Sequence, residues 1–351
     1  MDILSKRQKD ILQYTFLLFL IVLTTYIVST TLDISILPDI IKIIDFKYIL
    51  LGFGLVLLYI VLEGYIIKII LNSIHNTKCK LLGFKVGTIG LYYNLVTPLA
   101  SGSQPMQVYV LNKFNVPISK AIAVIVNKTV VFQTIVTVYT GILLLINCIY
   151  LKNQMNSIML LISTGMIMNI IMLSFGFLII YNPKKTKFIV NLILDILKKI
   201  KIFKKLENKR KNIDKFIDEY YYSVRLFLKD KKNLIKALML TIIQLTFHFS
   251  IAYCIYKSFN LTSASFIQMV ALQAFLYMAV SPVPTPGNVG ANEIVFFTIF
   301  KGIFPKDLIG YSVFVYGIFV YYFILLFCGI CTIIIHYKMK KCKVSYSKYI
   351  Y

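Results

Sequence analysis

The sequence predicts an all-α, polytopic integral membrane protein with about six full spans and two opposed re-entrant Pro/Gly hairpins arranged as an inverted repeat. Three observations carry this expectation. Of 351 residues, 58% are apolar and only 15% charged, with a mean hydropathy of +0.78, whereas a soluble domain is about 25% charged. Apolar runs long enough to cross a hydrocarbon core of about 30 Å recur from end to end. Seven of the nine prolines fall in two clusters, and each cluster interrupts an apolar stretch. A soluble enzyme is excluded.

The unbroken runs at about 11–32, 48–71, 121–150, 157–181, 234–257 and 308–335 are the six spans. The first follows Lys6, Arg7 and Lys9 and has no small-residue cleavage site, so it reads as an uncleaved span rather than a signal peptide. Orientation comes from the positive-inside rule. Residues 1–10, 72–120, 182–232 and 336–351 together hold 29 of the 38 basic residues, which places these segments and both termini in the cytoplasm. Residues 72 and 120 then lie on one side, so the broken stretch 81–116 enters and returns. Residues 258 and 307 lie on the other, so 266–303 does the same from outside. The alternative makes these stretches full spans, eight or more in all.

The two halves, 33–150 and 234–335, share one order of elements: a span, a broken hairpin, a long span. That is the signature of an inverted-topology repeat, whose discontinuous helices bind substrate near the midplane. Between the halves, the Lys-rich linker 182–233 carries Phe188, Leu192, Ile196, Ile200 and Phe203 at helical spacing. It suits an amphipathic helix on an anionic cytoplasmic leaflet, or a solvated connection that enforces topology. A basic tail, 336–351, closes the chain.

The net charge of +24 lies between apolar segments, so membrane phospholipids are the expected partner and nucleic acid is not. The six cysteines form no disulfide or metal pattern, and Cys328-x-x-Cys331 lies within a span. No Walker A loop, serine elbow or metalloprotease helix is present, and no cofactor is expected.

Candidate binding residues concentrate at the two breaks, because non-helical backbone at membrane depth survives only where protein or a watery cavity satisfies it. The first break supplies Asn94, Thr97, Pro98, Ser101, Gly102, Ser103, Gln104 and Gln107. The second supplies Pro284, Thr285, Pro286, Gly287, Asn288, Gly290, Asn292 and Glu293. Their polar groups are mostly neutral, and a half-helix beginning there would favour an anion such as a phosphodiester. Glu63 and Glu293 are the only acids inside apolar segments, and an intramembrane carboxylate is a functional candidate by default. Lys128, near the start of its span, is a candidate cation, with snorkelling as the simpler reading.

From Asn94 to Gln107, at Pro117-Ile118-Ser119-Lys120-Ala121, and from Pro284 to Glu293, the sequence resembles the membrane domain of the lysylphosphatidylglycerol synthase family. That domain is the flippase-like part of the multiple peptide resistance factor. The resemblance covers nearly the whole chain. It implies a bacterial cell-membrane protein that moves a phospholipid between leaflets, lysylphosphatidylglycerol or another aminoacylated or anionic lipid. Many relatives carry Gly-Glu and a downstream Arg where this chain has Ser103-Gln104 and Gln107. Full-length synthases add a soluble domain that transfers lysine from lysyl-tRNA to phosphatidylglycerol, for which these 351 residues have no counterpart. The alternatives are a phosphatidylglycerol lysyltransferase working with a separate soluble acyltransferase partner, and a non-transporting membrane scaffold or a transporter of another substrate; a homo-oligomer is compatible with each.

Overall fold

The computed structural model describes residues 37–77, 79, 81–146, 156–182, 188, 210–283 and 285–347. The expected first span at 11–32, Pro284 and much of the linker lie outside these residues. The described chain is helical, without strands: α1 (Leu37–Ile43), α2 (Phe46–Ile74), α3 (Leu82–Val96), α4 (Ser103–Lys113), α5 (Ile118–Ile146), α6 (Asn156–Tyr181), α7 (Arg210–Lys229), α8 (Lys231–Ser258), α9 (Phe266–Val280), α10 (Ala291–Phe300), α11 (Ile309–Gly317) and α12 (Phe323–Ser347). A π-helical turn, Ile318–Tyr322, joins α11 to α12 without ending the rod. Among the described residues five helical segments are long and apolar enough to span, including Phe46–Ile74, Lys231–Ser258 and Ile309–Tyr337.

The two broken stretches form helix–turn–helix hairpins. Their arms have 15 and 11 residues in the first, 15 and 10 in the second. At about 1.5 Å per residue none exceeds roughly 23 Å, short of the hydrocarbon core of about 30 Å. No single arm can cross.

Helices α2 and α8, which open the two halves, pack along each other as the central pair. They run antiparallel, the relation an inverted repeat requires. The amide of Asp45 ahead of α2 donates to the carbonyl of Ser258 at the end of α8, at 2.7 Å. At the other end Ser73 donates to Asp230 at 2.8 Å, and Asp230 also caps α8 through the amide of Asn233. The Ser73 hydrogen bond, with those from Asn233, holds the Asp230 carboxyl below its ordinary range.

The inner arm of the first hairpin sits almost backbone-to-backbone on α2. A Cβ at Gly64 would lie 2.9 Å from the amide nitrogen of Phe84, and one at Gly87 would lie 3.0 Å from the nitrogen of Gly64. Small residues at this crossing let dispersion contacts replace the hydrophobic drive that is missing between helices in lipid. The second hairpin is held from the other side by α6, whose Asn169 donates to Ser281 at 3.0 Å.

Helix α7 is amphipathic, as the linker's composition suggests, but its apolar stripe is already covered. Ile217, Tyr220, Tyr221, Val224 and Phe227 are buried, and α7 packs chiefly on α5 and α2. This part of the linker therefore docks on other helices. The residues from Leu192 to Phe203, which carry the stripe expected to meet the leaflet, lie outside the described chain.

Candidate functional site

Each turn forms where the sequence stops a helix. Pro98 cannot continue α3, and Thr97 closes the turn that follows. Its hydroxyl donates to the carbonyl of Tyr93 and accepts from the amide of Gly102 at 3.0 Å. In the second turn Gly287, Asn288 and Gly290 all have positive φ, at 58°, 56° and 81°, a conformation that glycine and asparagine tolerate best. Asn292 then donates to the carbonyl of Gly287 at 3.3 Å, and the carboxylate of Glu293 accepts from the amide of Gly290 at 2.6 Å, capping α10.

The two turns meet. Pro98–Ala100 packs on Pro286–Asn288, and the second turn also touches α3. A Cβ on Gly287 would lie 2.9 Å from the carbonyl oxygen of Leu95 and would overlap the ring of Tyr321, so only glycine permits this approach. Beside the junction is a cavity of about 210 Å³. The first hairpin contributes Asn94, Leu95 and Ala100 to its wall; the second contributes Tyr277, Ser281, Thr285, Gly287, Asn288 and Asn292. Tyr59 of α2, His248 of α8 and Tyr316 of α11 complete the polar lining. Among the described residues no charged side chain lines it. Two groups on wall residues, Nδ1 of His248 and the hydroxyl of Thr285, are buried and without a hydrogen-bond partner among the described residues. Unmet buried donors and acceptors are costly, by about 1–3 kcal/mol each, and both of these residues belong to the cavity wall.

Immediately outside this wall lies an ion pair. Glu63 of α2, 3% exposed, binds Lys128 of α5, and its other oxygen accepts from Gln244 of α8 at 3.0 Å. The ammonium of Lys128 also lies 5.2 Å from the ring centre of Phe132, and Phe132 packs edge-on against Tyr277 in the cavity wall.

A family model described as the lysylphosphatidylglycerol synthase TM region matches residues 11–328. The chain belongs to that family. No curated protein and no solved structure matches it. The synthase-family match spans both hairpins and the ion pair, so the geometry above is that of the family's membrane region in this chain.

Of the candidates named from the sequence, Asn94, Thr285, Gly287, Asn288 and Asn292 line the cavity, and Glu63 and Lys128 are paired behind it. Thr97 and Gly102 are engaged within the first turn, beside Pro98 and Ser101. Ser103 opens α4, Gln104 donates to Thr129 at 3.3 Å, and Gln107 donates to the carbonyl of Val86 at 3.4 Å, so these glutamines fix α4 against α5 and α3. Pro286 starts the second short turn, Gly290 and Glu293 form its exit, and Pro284 is outside the described residues. Sequence reasoning did not single out Tyr59, Tyr277, Ser281 or Tyr316. Only Tyr59 carried a usable signal, lying one helical turn before Glu63.

Proposed function

We propose that this protein is a flippase-like translocator that carries a phospholipid head group between leaflets through the space where the hairpin turns meet. One observation supports this reading above all: the two turns abut and, with α2 and α8, enclose a polar cavity that among the described residues is lined by no charged side chain, and two of its wall residues carry buried groups without described partners. A head group leaving water needs replacement hydrogen bonds, because an unpaired polar group in hydrocarbon costs several kcal/mol. Asn94, Asn288, Asn292, Thr285 and His248 offer donors and acceptors for that purpose, and the small volume leaves the acyl chains in the surrounding lipid.

Leaflet exchange tests the proposal. The protein is reconstituted into vesicles carrying lipids with fluorescent head groups, phosphatidylglycerol, lysylphosphatidylglycerol and phosphatidylethanolamine in turn. Loss of fluorescence to an impermeant quencher then reports flipping. Exchange of at least one lipid at ten times the protein-free rate or more is expected, equivalent to about 1.4 kcal/mol off the barrier. Exchange at the protein-free rate for all three would refute the proposal.

A further inference from the structure

Glu63 stands at the crossing of both halves. Its side-chain stem lies against α3, where a Cβ on Gly87 would come within 3.3 Å of its Cγ. Its oxygens meet Lys128 of α5 and Gln244 of α8. Tyr277 of α9 and Cys328 of α12 are close enough to feel its charge, as is Tyr59 one turn earlier on α2. His248 lies one turn beyond Gln244, with its ring 5.0 Å from that of Tyr59. Among these neighbours Lys128 alone carries a permanent positive charge. Among the described residues Glu63 is the only buried carboxylate.

The two partners are unequally free. The Lys128 side chain is 16% exposed against 3% for Glu63, and its flexible stem leaves the ammonium beside Phe132, next to the cavity wall. Lys128 is therefore the partner with room to move, while Glu63 is enclosed. A buried carboxylate stripped of its cation is far more costly than the intact pair, and the cheapest remedy in low dielectric is to become neutral. Gln244 offers no substitute charge. Its own carbonyl oxygen is buried without a partner among the described residues, so an amide rotation would let it accept a proton carried by Glu63.

We infer that Lys128 and Glu63 form an exchangeable counter-ion pair, in which a head-group phosphate draws Lys128 away from Glu63 and Glu63 takes up a proton as it does so. The inference deepens the proposed function and rests on its cavity. It ties binding of an anionic head group to uptake of about one proton, and so couples this step to pH.

Calorimetric titration of the detergent-solubilised protein at pH 7, in two buffers of different ionisation enthalpy, counts protons directly and needs no transport. The probes are dioctanoylphosphatidylglycerol, glycerol 3-phosphate and dioctanoylglycerol. Wild type should take up close to one proton per bound phosphatidylglycerol and none with dioctanoylglycerol. Glu63→Gln, which keeps an acceptor for Gln244, should bind the same lipid with no proton uptake, and Lys128→Gln should weaken binding tenfold or more. Uptake with glycerol 3-phosphate as well would support the exchange with a soluble phosphate as its source; uptake with the lipid alone would support it with a lipid source.

Three results would overturn the inference: no binding of phosphatidylglycerol, binding by wild type without proton uptake, or uptake that survives in Glu63→Gln. A protein that takes up the proton on binding and yet fails to exchange lipid between leaflets would sink the translocator reading and leave the counter-ion exchange standing.

Discussion

The two hairpins have the same plan and use their polar atoms differently. In the first, the Thr97 hydroxyl is engaged at both ends inside its own turn, and Gln104 and Gln107 bind neighbouring helices. In the second, the Thr285 hydroxyl has no partner among the described residues, and Thr285 belongs to the cavity wall. Most of the cavity wall contributed by hairpins comes from the second. On the proposed function, the difference makes the first hairpin mainly a scaffold, its inner arm packed on Gly64 of α2, and makes the second the larger share of the ligand face. The left-handed glycine at the second tip is what brings the two together.

The largest effect expected from breaking this arrangement is at that tip. Gly287→Ala imposes a left-handed residue, costing about 1–2 kcal/mol, and drives a methyl into Tyr321 and the Leu95 carbonyl, adding about 1–3 kcal/mol of overpacking. Gly290→Ala also has positive φ but meets open space, so only strain of about 1–3 kcal/mol applies. Thermal unfolding in detergent should show the larger fall for Gly287→Ala, with leaflet exchange down more than tenfold; Gly290→Ala should keep most of its exchange. Equal losses in both would mean that the meeting of the tips does not matter.

A matched pair of threonines separates scaffold from ligand face. Thr97→Val strands the amide of Gly102, an unmet donor worth about 1–3 kcal/mol, so stability falls while exchange per folded molecule holds. Thr285→Val removes a hydroxyl that no described group uses, so stability is unchanged or slightly higher while exchange falls threefold or more. The reverse pattern, a stability loss at Thr285 and a transport loss at Thr97, would exchange the roles assigned to the two hairpins.

Spans and breaks were legible because a bilayer imposes a length and proline interrupts it. The expected spans 48–71 and 234–257 appear as Phe46–Ile74 and Lys231–Ser258, and the expected hairpins 81–116 and 266–303 as arms within 82–113 and 266–300. The partnerships were not legible. Nothing local to Pro98 indicates that it will meet Pro286, and nothing local to Glu63 indicates Lys128, because each contact is set by how α2, α5 and α8 cross. Tyr59 and Tyr277 are two of 25 tyrosines, and only the fold distinguishes them. Composition marked the linker as amphipathic; it could not say that α5 would cover the apolar face of α7.

The smallest expected effect, and the finest test of the comparison, is at Glu293. Its position six residues after Gly287 makes it an obvious ligand candidate, yet its carboxylate is engaged by the amide of Gly290 and is absent from the cavity wall. A carboxylate at a helix N-terminus contributes about 0.3–1 kcal/mol through the helix dipole. Glu293→Gln keeps the acceptor and removes only that charge, so the unfolding midpoint should fall slightly and exchange should stay within about twofold of wild type. A stable Glu293→Gln that loses exchange tenfold would put the capping carboxylate itself on the lipid's path. The ligand face of the second hairpin would then extend beyond Asn292 to the next residue of the first turn of α10, and the turn's own cap would have to open during transport.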